Sequence, residues 1–206
     1  MTPRFFTIAV TAFLTFCGGT FLPLTAAEST AVSSGFVQPL APRQSAMPSK
    51  KLPSLGRDKW GLPFYHPRQM NRVVRTTAYT HTESDHVVYG HGNAAGSTLQ
   101  YTDKVRSAAA DWSVYPMGTK FKIKGQPYIY VVDDYGSALV GTGTIDIYQP
   151  TRELMRAWGR RIVEIEVIEW GSSARSLETL TARKGYKHCR AMYAALQEQQ
   201  RHKGTN

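Results

Sequence analysis

Two aspartates, Asp134 and Asp146, end or interrupt short apolar runs in the stretch YVVDDYGSALVGTGTIDIY, from Tyr130 to Tyr148. A pair of carboxyls can do acid–base work. One that keeps its proton can protonate a leaving oxygen, while one that stays ionised steadies developing charge or activates a nucleophile. Val131 and Val132 lead into Asp133 and Asp134, and Ile145 and Ile147 flank Asp146. Such β-branched runs predict strands. Gly136, Gly141 and Gly143 lie between them and allow tight turns and a close approach of ligand to backbone. Two acids at neighbouring strand ends, above a glycine floor, suit a polar polymer as substrate. On the residues alone, turn capping is the favoured reading of both aspartates.

Other residues bear on the same question. Asp111 precedes Trp112 and a turn before Pro116, the setting of a structural turn cap. Asp133 is the alternative partner for Asp146 if the strand register moves by one. Tyr79 and Tyr101 have rings that could stack on sugars or fill a small core. Tyr79, Gly136 and Gly141 are the candidate substrate contacts, with Asp146 and Asp134 as the candidate catalytic pair. His81, His86 and His91 share a polar loop with Asp85, but their spacing matches no zinc signature. No metal and no cofactor is expected.

These residues need a scaffold of short strands. Strands are predicted over 73–79, 105–110, 119–124, 128–132, 145–148 and 161–170. Phe121 and Ile123 alternate with Lys120, Lys122 and Lys124, which gives one buried and one wet face. Pro150 opens a short helix in which Leu154, Met155 and Trp158 share a face and which Gly159 ends. The expected fold is mainly β, a small six-stranded barrel with one short inserted helix and a C-terminal helix. In the tail, Cys189, Met192, Tyr193 and Leu196 have helical spacing, and Lys184, Lys187, Arg190 and Arg201 make it basic. This helix is expected to pack on the barrel, with Gly185 breaking or starting it.

The ends bound the setting. Residues 1–27 read as a signal peptide: Arg4, an uncharged apolar run from Phe5 to Phe16, then Thr25-Ala26-Ala27 before the cleavage point. Phe16 before Cys17 fits lipoprotein processing poorly. Residues 28–70 hold six of the eleven prolines and read as a linker whose aromatic end, Trp60 to Tyr65, lies against the domain. The barrel is expected over 71–171 and the basic helical tail over 172–206. Loss of residues 1–27 lowers the net charge only from +10 to +9 and leaves Cys189 as the one cysteine, so no internal disulfide can form. Export to the periplasm or cell envelope argues against nucleic acid as a partner. It favours envelope association through the basic surface, with a monomer expected.

The region 74–171 resembles the 3D domain, named for three aspartates and found in the A-type membrane-bound lytic transglycosylase and in secreted cell-wall proteins. The matching pieces are Thr77-Ala78-Tyr79, Ala109-Ala110-Asp111, Pro116-Met117-Gly118-Thr119, Asp134 to Gly141 and Ile145-Asp146-Ile147-Tyr148. The resemblance makes Asp111, Asp134 and Asp146 the three aspartates and implies a double-psi β-barrel. It departs from the family pattern in two places: Gly141 to Asp146 is one residue longer, and Val140 stands where many members carry lysine.

By this resemblance Asp146 is the acid–base of a peptidoglycan lytic transglycosylase and Asp134 its neighbour across a cleft. The substrate is then the glycan strand of peptidoglycan, cut at the bond between N-acetylmuramic acid and N-acetylglucosamine with a 1,6-anhydro product. The pKa of Asp146 should be raised by its apolar flanks and by Asp134. A non-catalytic barrel that binds peptidoglycan or another polysaccharide, as in expansin-like proteins, is the alternative reading.

Overall fold

The computed structural model describes residues 55–83 and 86–204 of the chain. The expected signal segment 1–27, the linker as far as residue 54, and Asp85 of the histidine loop lie outside the described residues.

Six strands form one closed barrel: β1 (Asn71–Tyr79), β2 (Val105–Ala110), β3 (Lys120–Ile123), β4 (Ile129–Asp134), β5 (Ile145–Tyr148) and β6 (Arg161–Glu169). Around the barrel the order is β1-β5-β2-β4-β3-β6, with β6 closing on β1. The β1–β5 and β2–β4 pairs are parallel and the other four antiparallel. The strands form where the sequence alternates. Phe121, Ile123, Tyr130, Val132, Ile145, Ile147, Ile165 and Val167 are buried and share one core cluster, whereas Lys122, Glu164 and Glu166 on alternate positions are exposed. Ala108 and Ala110 make room for larger neighbours, among them Phe121 and Tyr130, whose rings stack at 5.3 Å. Interior alternation of small and large side chains is how a small barrel fills itself.

Three helices accompany the barrel: α1 (Arg152–Trp158), α2 (Ser173–Thr181) and α3 (Lys187–Gly204). The cap of α1 is Thr151, whose hydroxyl accepts from the Leu154 amide, rather than Pro150. Trp158 of α1 is buried but Leu154 is exposed, so the apolar face of this helix is narrower than its sequence implies. The tail is two helices, not one, and Gly185 falls in the turn between them. Cys189, Met192 and Leu196 are fully buried and join Leu180 of α2 in the barrel's core cluster. The tail is thereby part of the core. Met117 donates its amide to Ser176 Oγ at 2.9 Å, which ties α2 to the turn before β3.

The aromatic segment ahead of β1 is anchored. Tyr65 Oη accepts from Val73 N at 2.7 Å and donates to Val73 O at 2.9 Å, pairing with the strand edge as another strand would. The buried Arg72 lies over the rings of Tyr65, Tyr115 and Trp170, at 5.4, 5.0 and 4.8 Å.

Candidate functional site

A register shift in β4 decides where the acids point. Ala108 of β2 faces Val132, but the next residue, Ala109, faces Asp134, so Asp133 is an extra residue in the ladder. A bulge of this kind re-aims the side chains that follow it. Val132 lies in the core, and alternation would send Asp134 inward too. The bulge instead sets Asp134 in line with Ala109, on the outer side of the sheet. On the other flank of Ala109 stands Asp146, whose neighbours Ile145 and Ile147 point inward. Asp146 is in turn paired with Thr77 of β1. Thr77, Asp146, Ala109 and Asp134 thus form one row across four strands. Two strand spacings put the α-carbons of Asp146 and Asp134 roughly 9–10 Å apart.

The two acids have different surroundings. Asp134 is buried and accepts from the amides of Tyr135 and Ala94 on Oδ1, at 2.9 and 3.2 Å. On Oδ2 it meets His86 Nε2 at 3.0 Å and accepts from Tyr79 Oη at 3.4 Å. Four polar contacts on one carboxyl fix its orientation. Asp146 is half-buried, and its Oδ1 accepts from Thr77 Oγ1 at 2.7 Å. Tyr79 sits two residues beyond Thr77, in a small apolar cluster with Leu99, Ala109, Leu139 and Tyr148. Burial, then the charges of Asp134, Asp133 and Asp146, push its phenol well above the usual range, so it is a neutral donor. At 7 % exposure its ring packs on Tyr148 and His86 and presents no face to a sugar.

Asp133 is held below the row by Ser107 Oγ at 2.5 Å and Asn93 Nδ2 at 3.0 Å, both donating to Oδ2. Burial raises its carboxyl to about 7; the Ser107 hydrogen bond opposes this and the charge of Asp134 adds to it. An unfolded aspartate titrates near 3.9, so the folded protein binds more protons than the unfolded chain between roughly pH 4 and pH 7. The stability this group contributes is full below that window and is lost as the pH climbs through it. Asp133→Asn can accept from both Ser107 and Asn93 through its one remaining oxygen. It is expected to gain stability at pH 8 on the order of 2–4 kcal/mol over the native protein, and nothing at pH 4. Urea unfolding at the two pH values checks this; equal effects at both would mean the carboxyl does not titrate in the window.

Asp111 bonds two loops together. It is 1 % exposed; its Oδ1 accepts from the amide and hydroxyl of Ser113 at 2.8 and 2.6 Å, and its Oδ2 from the Gly141 amide at 2.7 Å. Burial raises its pKa above the ordinary carboxylate value, and these hydrogen bonds offset part of that rise. Gly141 has φ +74°, a left-handed turn that suits glycine. The longer loop that follows is locked by its own bonds. Thr142 donates N and Oγ1 to Leu139 O, and Thr144 N donates to Thr142 Oγ1. Val140 turns toward the core cluster. Asp111→Ala should cost about 2–3 kcal/mol by orphaning buried amides. Faster hydrogen exchange at Gly141 would separate this from a diffuse loss of stability.

A cleft of about 570 Å³ opens beside Asp134 and Gly136, walled by His86, Tyr89, Arg183 and Tyr186 among others. Asp146, Gly141 and Tyr79 do not line it. Asp134 thus borders this cleft and Asp146, half-buried on β5, does not. A larger cavity, about 690 Å³, runs along Asn71, Lys122 and Glu164 and includes none of the candidate acids. The histidine loop splits, His86 turning to Asp134 while His81 meets His91 edge-on at 3.9 Å and Tyr148 Oη at 2.9 Å. Among the described residues no group of three His, Cys, Asp or Glu could hold a metal ion.

Sequence reasoning gave no role to Thr77, Arg183 or Tyr186. Thr77 belongs to a quoted motif, but its partner depends on parallel pairing with β5. Arg183 and Tyr186 sit in a helix turn that sequence spacing does not bring near residue 134.

The chain is a closed, mixed β-barrel that carries two carboxyls, Asp146 and Asp134, in one row across its strands. Residues 106–169, from β2 to the end of β6, match the family model of the 3D domain. All three aspartates of the sequence motif fall inside this stretch; β1, with Thr77 and Tyr79, precedes it. Comparison with curated proteins gives no match. The 3D domain is consistent with a barrel that deals with peptidoglycan.

Proposed function

We propose that the protein is a peptidoglycan lytic transglycosylase of the cell envelope, with Asp146 as its acid and base. The observation that carries this reading is the row itself. A half-exposed carboxyl is oriented by Thr77 and backed by Ile145 and Ile147, and it shares a sheet face with the buried, hydrogen-bonded carboxyl of Asp134. Asp146 protonates the oxygen that leaves when the bond between N-acetylmuramic acid and N-acetylglucosamine breaks. It then removes the proton from the C6 hydroxyl of the muramic sugar as that oxygen closes on C1. The nucleophile is part of the substrate, and its high effective concentration lets one carboxyl serve both steps. Asp134, held by its own hydrogen bonds across Ala109, stands on the same face as the supporting acid. Export through residues 1–27 and a positive net charge support delivery to an anionic envelope.

A second reading, a barrel that grips glycan without cutting it, draws support from the separation of Asp146 from the cleft that Asp134 lines. Digestion of purified sacculi, with mass spectrometry of the soluble products, decides between them. Anhydro-muropeptides are the expected result. Reducing-end sugars would mean a hydrolase, and retention on sacculi without any product would mean a binder.

A further inference from the structure

Of the cleft beside Asp134, the stretch 106–169 supplies only Asp134 to Ser137. The loop residues His86 to Ala94 wall it from one side, and the turn between α2 and α3, which carries Arg183 and Tyr186, supplies another wall. We infer that this cleft is a subsite for a carboxylate-bearing amino sugar, with Arg183 as the anion contact and Tyr186 and Tyr89 as ring platforms. The inference rests on the glycan reading given above and adds to it which chemical group is read, and by which residues.

Arg183 is oriented before any ligand arrives. Its Nη1 donates to Ala94 O at 3.0 Å and to Tyr135 Oη at 3.3 Å, and its guanidinium lies over the Tyr135 ring at 5.7 Å. Among the described residues it has no carboxylate partner, since the ion pairs there are made by other side chains. The neighbouring Asp134 already has its four polar contacts. A half-buried guanidinium held in place on one edge, with no carboxylate in direct contact, is suited to a planar anion, which it can meet with two parallel hydrogen bonds. Burial lowers the pKa of His188, so this third member of the wall brings no competing charge at neutral pH.

The rings give the second half of the recognition. Tyr89 and Tyr186 are 65 % and 58 % exposed although both border the cleft, while Tyr115, Tyr130 and Tyr148 elsewhere in the barrel are buried. An exposed aromatic face matches the C–H face of a pyranose, and its hydroxyl reaches the sugar's own hydroxyls. The volume, about 570 Å³, falls within the roughly 300–1,000 Å³ of small-ligand sites. Among glycan units, a muramic acid residue offers both features. Its carboxylate is either that of the lactyl ether or, where a stem peptide is attached, that of the peptide.

The test is calorimetric titration of the protein with three probes. These are chitotetraose, a peptide-free tetrasaccharide alternating N-acetylglucosamine and N-acetylmuramic acid, and the same tetrasaccharide bearing tetrapeptides. The expected result is about tenfold tighter binding of the acidic glycans than of chitotetraose, a preference lost in Arg183→Gln because a charge-assisted pair is removed. The two acidic probes tell which carboxylate is read. Tyr186→Ala, a change at an exposed ring, should weaken all three probes alike. Equal affinity of the native protein for acidic and neutral glycans would overturn the subsite and leave the glycan reading standing, as would a preference that survives Arg183→Gln. Failure of every probe to bind would take both down.

Discussion

Asp146→Asn is expected to stop the release of anhydro-muropeptides from sacculi while the barrel stays folded. The replacement has the same shape, and its amide oxygen can still accept from Thr77 Oγ1, the 2.7 Å bond that orients the native side chain. It cannot donate a proton to the leaving oxygen or take one from the C6 hydroxyl. General acid–base groups contribute roughly 10²–10⁴ in rate, and here a single group would serve both steps, so the loss should lie at the upper end of that range. Binding of glycan should persist, because the cleft lined by Asp134, Arg183 and Tyr186 is untouched. Product analysis of sacculi, beside a thermal melt that stays within about 3 °C of the native midpoint, gives the check. A variant that releases anhydro products at the native rate would remove Asp146 from the chemistry.

Gly171→Ala should have the largest effect on stability. A β-carbon at this position would stand 2.3 Å from Pro116 O, 2.4 Å from Met117 O and 2.5 Å from Thr119 N. All three are backbone atoms, which cannot swing away as the tip of a side chain can. The same turn is bonded to the strand-to-helix junction: Gly171 N donates to Thr119 Oγ1, and Ser172 N to Met117 O. Adding one methyl therefore forces apart the turn before β3 and the start of α2. Overpacking against backbone is expected to cost more than about 3 kcal/mol and to lower the melting temperature by about 6–12 °C. Calorimetry of the variant checks this, and a shift under about 2 °C would show that the junction yields. Because α2 leads into the Arg183 turn, glycan affinity should fall as well, with Asp146 intact.

The strands were legible because each alternates. Phe121 and Ile123 against three lysines, and Val163, Ile165 and Val167 against glutamates, place one face in a core whatever the topology. The helical spacing of Cys189, Met192 and Leu196 was equally plain, and all three are buried. What escaped depends on geometry between strands. Sequence reading named Asp133 as a rival to Asp134 because nothing in Val-Val-Asp-Asp says which residue is the bulge. Only the facing Ala108–Ala109 step settles it. Tyr79 could have been a sugar platform or a core ring by its type alone; it is buried because His86 and Leu99, distant in sequence, pack against it. Leu154 looked like core, yet α1 lies on the barrel along a strip too narrow to cover it. The aromatic end of the linker was read as leaning on the domain. That Tyr65 would bridge both backbone groups of Val73 was beyond any pattern of residue types.

The seam of the barrel joins its first strand to its last, with Asn71 opposite Glu166 and Thr76 opposite Arg161. Contacts so distant along the chain form slowly, because a long loop must close before they return any gain. Thr77 meets Asp146 on the strand that this seam holds in place. A chain in which this seam is still open can align Asp146 with Asp134 through β5, β2 and β4. The hydroxyl of Thr77 is the last contact to be fixed, because β1 is clamped on its other edge by β6.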